Sequence, residues 1–459
     1  MKILVTGASG LIGRRVALDL LRRGHEVLAL ARNPGSISFL PAGNVFAWRS
    51  TEIPPLAALR GVDAIVHLAG ESVASARWTE ARKKKISESR VQGTSNLLNA
   101  VNQLEGAARP KVFVGASAVG IYGNSDEATF SEDSAPGTGF LADLCLAWER
   151  ESQRAAALGL RTVLLRTGVV LAAEGGALPK MGPVVLGSGK QWLSWIHVDD
   201  VVAFVHFALA HDSVVGPFNL TAPTPVRQEN FVRALRRVRG YPFALRAPAR
   251  LLSLLLGEMA EVVTGSLKAV PARTLRAGFR FEHPELDEAL RSLFLDGSPL
   301  DQKFQEAQFV NRPRESVVPF FAKAENLEEL TPPWLRFRII RKSAGELGEG
   351  AIIDYRLRIH GVPVWWRTLI SAWRLPDSFV DDQLEGPYRK WHHVHEFVPV
   401  HGGTLLLDTV TYQVPFSWLG KALLSRWIAR DVRTIFEFRK NKIRELERTG
   451  RLVTPSPRP

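Results

Sequence analysis

Lys2-Ile3-Leu4-Val5-Thr6-Gly7-Ala8-Ser9-Gly10-Leu11-Ile12-Gly13 is the stretch that decides the fold. Ile3-Leu4-Val5 is a short apolar run of buried-strand type, and residues 11–23 have the spacing of an amphipathic helix. Three glycines lie between and just inside them. Gly7 permits a tight turn, Gly10 lets the backbone approach a pyrophosphate, and Gly13 lets the helix pack close to the strand. The helix start then offers free N–H groups and a positive dipole end to phosphates. A glycine triplet alone is a weak signal. Its place between a clear strand and a clear helix is the confirming context, and the expectation is a dinucleotide site.

The second strand decides which dinucleotide. An acid at its end would take the ribose 2′-hydroxyl of NAD(H). The strand ends Leu28-Ala29-Leu30-Ala31-Arg32-Asn33, without one. Arg32 stands where a 2′-phosphate would be met, Arg14 lies on the adjacent helix start, and an arginine fork matches a phosphate. The expected cofactor is NADP(H), with NAD(H) less favoured.

Further out, apolar runs at residues 1–6, 26–31, 64–68, 111–116 and 161–166 alternate with amphipathic segments at 11–23, 80–101 and 141–158. Fully apolar strands alternating with helices mean a doubly wound parallel α/β sheet of Rossmann type, covered on both faces. Residues 198–300 read as mostly helical, with one more strand at 215–220, the usual place for a substrate-covering lobe. The turn cluster Asp296-Gly297-Ser298-Pro299 marks a boundary. Beyond it, period-2 patterns at 352–359, 364–373, 379–385, 391–398 and 404–414 predict antiparallel strands, closed by a helix at about 419–446. In that helix Leu419, Leu423, Trp427, Ile428, Val432, Ile435 and Phe436 recur at three- and four-residue steps. The predicted division is 1–298, including a small helical module at about 250–295, then 299–450, then a disordered tail at 451–459.

Composition sets limits. The 459 residues hold 46% hydrophobic and 23% charged side chains, which excludes a wholly disordered chain. No apolar run approaches the roughly 18 residues of a membrane span. The first residues read as a strand instead of a signal peptide, so a cytoplasmic protein is expected. One cysteine, Cys145, excludes an internal disulfide and a multi-cysteine metal site. The net charge of +13 invites a nucleic-acid reading, but it is spread over both halves, +7 in residues 1–300 and +6 in 301–459. Its dense runs, at 82–85 and 233–239, lie in helical patterns, where they read as solvated faces. No nucleic-acid partner and no integral membrane segment are expected.

His67-Leu68-Ala69-Gly70 and Ser194-Trp195-Ile196-His197-Val198-Asp199-Asp200, with the glycine loop, resemble the extended short-chain dehydrogenase/reductase superfamily. Glu71, Arg77-Trp78-Thr79, Ser89-Arg90, the run Ser117 to Gly123, Gly216-Pro217-Phe218-Asn219-Leu220 and Ala277-Gly278-Phe279-Arg280-Phe281 resemble one atypical subfamily within it. Its members are labelled epimerase-family or sugar-nucleotide epimerase-like, and some carry a cell-division-inhibitor label. Residues 257–290 resemble its small C-terminal helical module. The resemblance implies that Gly7, Ser9, Gly10, Leu11, Ile12 and Arg32 hold the adenosine diphosphate half. It implies that Leu68, Ala69 and Gly70 line the cofactor beyond the fourth strand, and that Ala116, Thr167 and Gly168 flank the nicotinamide.

One departure outweighs the matches. Active superfamily members carry Tyr-x-x-x-Lys on the helix after the fifth strand, where the lysine lowers the tyrosine pKa for proton exchange. With Glu149 marking the register, those positions here are Leu141 and Cys145. Ser117 and Tyr122 are the candidate catalytic substitutes. Glu71 and Asp143 are carboxyls able to act as acid or base if burial raises their pKa, with a solvated or capping role the blander reading. Cys145 has no evident activating base and reads as a buried apolar residue. Glu71, Trp192 and Trp195 are the expected substrate-pocket residues, the tryptophans as rings for stacking beside the glycine-rich loop 175–191. His197, ahead of Asp199-Asp200, reads as a structural histidine.

In the second domain, Phe379, Asp381, Gln383, Gly386-Pro387-Tyr388, Trp391-His392-His393-Val394-His395-Glu396-Phe397, Gly403-Thr404, Asp408, Tyr412 and the closing helix resemble the START-like (SRPBCC) superfamily. That fold implies a sheet gripping its last helix around an apolar cavity, and hence a small apolar or aromatic ligand. His393 and His395, two apart on a strand, share a face, and His392 takes the other. With Asp381 or Glu385 they have the makings of a metal site. The polar end of a cavity, or a solvated face, is the simpler reading, so no metal is assigned. Trp365, Trp366 and Trp373 read as core and edge packing.

Two functions follow. The first is an NADP(H)-dependent oxidoreductase or epimerase-like enzyme with a nonstandard proton donor and a fused ligand-binding domain. The alternative is a non-catalytic sensor of NADP(H) and an apolar ligand, with a cell-division connection implied by the labels some members carry. Substrate and oligomeric state are not legible.

Overall fold

A computed structural model describes residues 1–294, 301–343, 346–414 and 417–452. The expected turn at 296–299, the side chains of Leu419 and Leu423 and the tail from 453 lie outside the described residues. The chain divides into two units, Met1–Ile37 with Ala42–Pro299, and Ser38–Pro41 with Leu300–Pro459. Among the described residues, no helix is long and apolar enough to cross a membrane.

The first unit is built on one sheet of seven strands: β1 (Lys2–Thr6), β2 (Glu26–Ala31), β3 (Val45–Ala47), β4 (Ala64–His67), β5 (Val112–Ala118), β6 (Arg161–Thr167) and β7 (Gly216–Leu220). All pairs are parallel, in the order β7-β6-β5-β4-β1-β2-β3. The central strands are buried along their length, as a sheet covered on both faces requires. Helices α1 (Leu11–Arg22), α2 (Glu80–Asn102), α3 (Phe140–Ala157) and α4 (Val198–Ala210) supply the cover, α1 beside α4 and α2 beside α3. The chain leaves β1 for β2 on one side and returns to β4 on the other. That reversal opens a crevice at the carboxyl ends of β1 and β4, where such sheets bind ligands. Past α4 come β7, α5 (Gln228–Arg239), α6 (Ala249–Leu256) and α7 (Leu286–Phe294), with two- and three-residue strands between.

The second unit holds an antiparallel sheet of β8 (Gln302–Val310), β9 (Arg338–Lys342), β10 (Ile352–Ile359), β11 (Val362–Arg374), β12 (Ser378–Glu385), β13 (Lys390–Val400) and β14 (Gly403–Gln413). Its order is β8-β14-β13-β12-β11-β10-β9. Helices α8 (Arg314–Phe321) and α9 (Glu325–Leu330) fall between β8 and β9, and α10 (Ser417–Arg448) closes the unit. Val432 and Phe436 of α10 pack on Phe304, Val410 and Tyr412, while Ile443 and Leu446 pack on Val310, Phe397 and Leu406. Trp427, placed on the same apolar stripe by the sequence, is instead exposed and stacks on His360.

Candidate functional sites

The glycine turn takes the expected form. Gly7 has a φ of +73°, a conformation L side chains rarely adopt. A Cβ there would also lie 2.9 Å from the carbonyl carbon of Leu68. A Cβ on Gly13 would stand 2.2 Å from the Gly7 carbonyl oxygen, so the first turn of α1 lies directly against the loop. Gly10 precedes α1 with extended backbone and no side chain capping the helix, and no acid lies in the first turn. The uncapped N–H groups and dipole end therefore suit an anion.

Thr6 ties this loop to the one after β4. Its Oγ1 accepts from the N–H groups of Leu68 and Ala69, both at 3.1 Å, and meets His67 Nδ1 at 2.8 Å. His67 Nε2 in turn meets Thr94 Oγ1 at 3.1 Å. Full burial pushes the imidazole down to about 4, so the ring is neutral at ordinary pH. Gly70 sits under the Arg90 guanidinium, 3.2 Å from its virtual Cβ. On the far side of the crevice, Thr167 ends β6 and Gly168 lies where a Cβ would come within 2.5 Å of the Ser194 carbonyl oxygen, while Ala116 is half-buried on β5. The loop at 175–176 comes back over α1, with Leu11 Cδ1 3.4 Å from the virtual Cβ of Gly175.

Arg32 follows β2 with its side chain 78% exposed and only a 3.5 Å contact to Glu71 Oε2. Glu71 is held by Arg82, Nη1 to Oε1 at 2.9 Å. Burial works to raise this carboxyl, but the Arg82 hydrogen bond and charge, with Lys85 and Arg32, bring it below the ordinary range. It is held as a carboxylate, so the condition for an acid–base role, a raised pKa, is not met. Asp143, the other carboxyl considered, is exposed in the first turn of α3.

The two expected catalytic hydroxyls need correction. Ser117 is buried and donates to Glu149 Oε1 at 2.6 Å. Glu149 is in turn gripped by Arg166, Nε to Oε1 and Nη2 to Oε2, both at 2.8 Å. Tyr122 is 2% exposed, donates to Asn219 Oδ1 at 2.7 Å and accepts from Arg166 Nη1 at 3.0 Å. Burial raises its phenol above the ordinary value. Both hydroxyls belong to one buried polar network that joins β5, α3, β6 and β7. In the sequence Glu149 stands out only as a register mark. The available signal was Arg166 itself, a charge directly after the apolar run Val163-Leu164-Leu165 in a strand of buried type, which demands a buried partner.

Leu141 and Cys145, assigned from the sequence register to the tyrosine and lysine positions, both lie on α3. Burial pushes the Cys145 thiol up to about 12, which makes it inert as a nucleophile. Trp195 is fully buried, donates from Nε1 to the Thr224 carbonyl and packs with Leu171, Phe231 and Leu290. It is core, not pocket. Trp192 is half-buried with the Arg227 guanidinium 3.9 Å from its ring centroid, so one face is already occupied by a cation. His197 accepts from the Asp199 N–H at 3.1 Å and caps α4.

The second unit holds a partly open cavity of about 190 Å³. Its wall is aromatic and aliphatic, with Phe337, Tyr355, Trp366, Tyr388, Trp391 and Phe436 among the lining residues. For scale, a cavity of about 150 Å³ admits benzene. Trp366, read from sequence as packing, is thus part of this wall, while Trp365 is exposed and Trp373 packs on the core.

Asp381, His393, His395 and Arg439 form one polar cluster of the lining. His393 and His395 share a face as predicted, their ring centroids 3.8 Å apart, and both are buried. His392 points away to Asp382 at 2.7 Å. Glu385 is not part of the group; it pairs with Arg367 at an exposed position. The second carboxylate is Asp408, whose Oδ1 lies 3.1 Å from His393 Nε2 and 2.8 Å from His395 Nδ1. Burial works to raise Asp408, but Arg439 and the two histidines hold it well below the usual carboxylate range. Arg439 escaped the sequence reading because it belongs to a helix 31 residues away from Asp408.

Comparison with known proteins follows this division. Residues 3–220 match the NAD dependent epimerase/dehydratase family, and residues 247–293 match a domain of unknown function, DUF1731. The chain is 38% identical over 304 residues to the epimerase family protein YfhF of Bacillus subtilis (strain 168), a match covering 64% of this chain and 99% of that protein. It is 38% identical over 309 residues to the chloroplastic epimerase family protein SDR39U1 homolog of Arabidopsis thaliana, covering 64% of this chain and 86% of the relative. Among solved structures, the human epimerase family protein SDR39U1 (isoform 2), crystallised with NADPH, is 30% identical with a TM-score of 0.56. That match covers 64% of this chain and 99% of the human one.

Proposed function

The chain belongs to the epimerase/dehydratase family, and from that premise we propose that its first unit binds NADP(H) in preference to NAD(H) in the crevice between the loops after β1 and β4. One observation carries the preference: the end of β2 presents the guanidinium of Arg32 to solvent where NAD(H) binders carry an acid. The NADPH in the human relative supports it. In this reading Gly7, Ser9, Gly10, Leu11, Ile12 and Arg32 hold the adenosine diphosphate half, Leu68, Ala69 and Gly70 line the middle, and Ala116, Thr167 and Gly168 flank the nicotinamide. The fit is physical. The close backbone at Gly7 and Gly13 and the uncapped start of α1, free of acids in its first turn, support this reading. A bound nicotinamide supplies hydride transfer; the chain contributes binding and orientation. The test is a titration with NADPH and NADH. Arg32→Ala is expected to lower the NADPH-to-NADH affinity ratio about tenfold or more, and an unchanged ratio would refute the preference.

We read the second unit as a START-like helix-grip domain that holds a small apolar or aromatic ligand in its cavity. The packing of α10 on the antiparallel sheet and the aromatic wall support this. The whole is then an NADP(H)-dependent oxidoreductase or epimerase-like protein with an unusual proton donor. A second reading, a non-catalytic sensor of both ligands, is favoured by one specific observation: the Tyr and Lys positions are Leu141 and Cys145, and the Ser117 and Tyr122 hydroxyls are engaged elsewhere. A panel of carbonyls, enones and sugar nucleotides separates them. NADPH oxidation above background supports the enzyme; tight binding without turnover, with each ligand changing the other's affinity, supports the sensor.

A further inference from the structure

The polar floor of the second unit's cavity has the internal logic of a metal centre. His393 Nδ1 lies 3.4 Å from Asp381 Oδ2, and His395 Nε2 lies 2.8 Å from the same oxygen. These three ligand-type residues offer atoms all within 4.8 Å of one another. Ligands held about 2.0–2.1 Å from a tetrahedral ion stand about 3.3 Å apart, which these separations bracket. The remaining nitrogens, His393 Nε2 and His395 Nδ1, both turn to Asp408 Oδ1, at 3.1 and 2.8 Å. A metal-binding imidazole almost always donates its other N–H to a carboxylate or carbonyl, which fixes the tautomer and the ring orientation. Here one carboxylate stands beside the outer nitrogen of both rings, hydrogen-bonded to His393 Nε2 and 2.8 Å from His395 Nδ1.

Charge agrees with geometry. Arg439 Nε lies 3.3 Å from Asp408 Oδ2 and balances that outer carboxylate. With both imidazoles neutral, as a bound metal requires, they and Asp381 would present a single negative charge from three ligand atoms within 4.8 Å of one another. In a buried place, converging acceptors need either protons or a cation between them. All three residues also line the cavity, so a fourth position would open onto it. The other comparable trio among the described residues, His197, Asp199 and His283, lacks this arrangement. His197 Nδ1 is used in capping α4, and Asp199 pairs with Arg15.

We propose that Asp381, His393 and His395 bind a divalent transition-metal ion, oriented by Asp408, with one coordination position open to the apolar cavity. A mixed imidazole–carboxylate set suits Zn²⁺, Co²⁺ or Fe²⁺ over Mg²⁺ or Ca²⁺. The residual positive charge of such a site would favour an anionic oxygen, such as hydroxide, carboxylate or enolate, in the open position.

The experiment uses the full chain, free of any affinity tag and stripped with a chelator. Co²⁺ is titrated while visible absorption is read, and Zn²⁺ is added in a thermal melt. The expected result is saturation of the d–d bands at one equivalent and a rise in Tm with Zn²⁺. His393→Gln and His395→Gln are expected to abolish the bands, and Asp408→Asn to weaken binding about 10–100-fold. Wild-type protein that gives no bands and no Tm shift overturns the proposal whatever the variants do. Bands that survive in both histidine variants place the ion elsewhere and overturn it equally. Mg²⁺ in place of Zn²⁺ is expected to leave Tm unmoved, and an equal shift counts against the site.

Discussion

Glu149 on α3 and Arg166 on β6 form a buried bidentate ion pair, with both N–O contacts at 2.8 Å. The pair anchors Ser117 and Tyr122, so it sets the shape of the helix–strand packing behind the crevice. Removing one partner leaves the other charge buried and alone. Arg166→Met is therefore expected to cost roughly 3–5 kcal/mol in urea unfolding, and the double variant Glu149→Leu/Arg166→Met to recover much of that loss. A double variant as unstable as the single would show that geometry, not charge, dominates here.

The 2.2 Å approach of a Gly13 Cβ to the Gly7 carbonyl oxygen makes a second prediction. Gly13→Ala must displace backbone, not a flexible side-chain end, and overpacking of this kind costs about 1–3 kcal/mol. NADPH and NADH affinities are expected to fall together, by about tenfold or more, in fluorescence titrations. Arg32→Ala, by contrast, is expected to act on NADPH alone. The two variants separate the phosphate cradle from 2′-phosphate selection.

His67 gives a pH dependence with a defined sign. Its folded pKa is about 4 against 6.5 for the free side chain, because burial disfavours the imidazolium. The folded state binds fewer protons than the unfolded state between those values. The contribution is thus complete above pH 6.5 and is lost as pH falls toward 4, an effect of about 3 kcal/mol. His67→Asn does not titrate. The difference between wild type and variant, followed by urea midpoints from pH 7 to 4, is expected to shrink by that amount on acidification. A constant difference would mean that the ring stays neutral in neither state or both.

Filling the second unit's cavity is the fourth test. Leu327 is half-buried on α9 and lines it. Leu327→Trp is expected to lower the affinity for an apolar fluorescent probe such as anilinonaphthalene sulfonate at least several-fold, with NADPH affinity unchanged. Equal probe binding in the variant would place the probe outside the cavity.

Legibility followed the strength of local patterns. The glycine turn and the parallel strands could be read because apolar runs and glycines at fixed offsets have one physical use. Strands β10 to β14 showed clear alternation. β8 did not, since Gln302-Lys303, Gln305-Glu306 and Gln308 interrupt its apolar positions. β9 is an edge strand, largely exposed and rich in Arg and Lys, and so reads as loop. At the sites, residues within one motif were found, and partners set by tertiary packing were not. Glu149 meets Arg166 across 17 positions and Asp408 meets Arg439 across 31, distances over which spacing carries no information. Trp195 was misplaced for the opposite reason: its position beside a glycine-rich loop suggested a pocket, while the ring turns into the core.

Cys145 is the chain's sole cysteine, buried in α3 with its thiol pushed up to about 12. Maleimide and iodoacetamide react with exposed thiolates, and at neutral pH this sulfur offers neither exposure nor charge. The natural chain therefore serves as a silent background for site-specific labelling. A cysteine introduced at an exposed position, such as Phe243 or Val362, would carry a spin label or fluorophore alone, without first removing a native thiol.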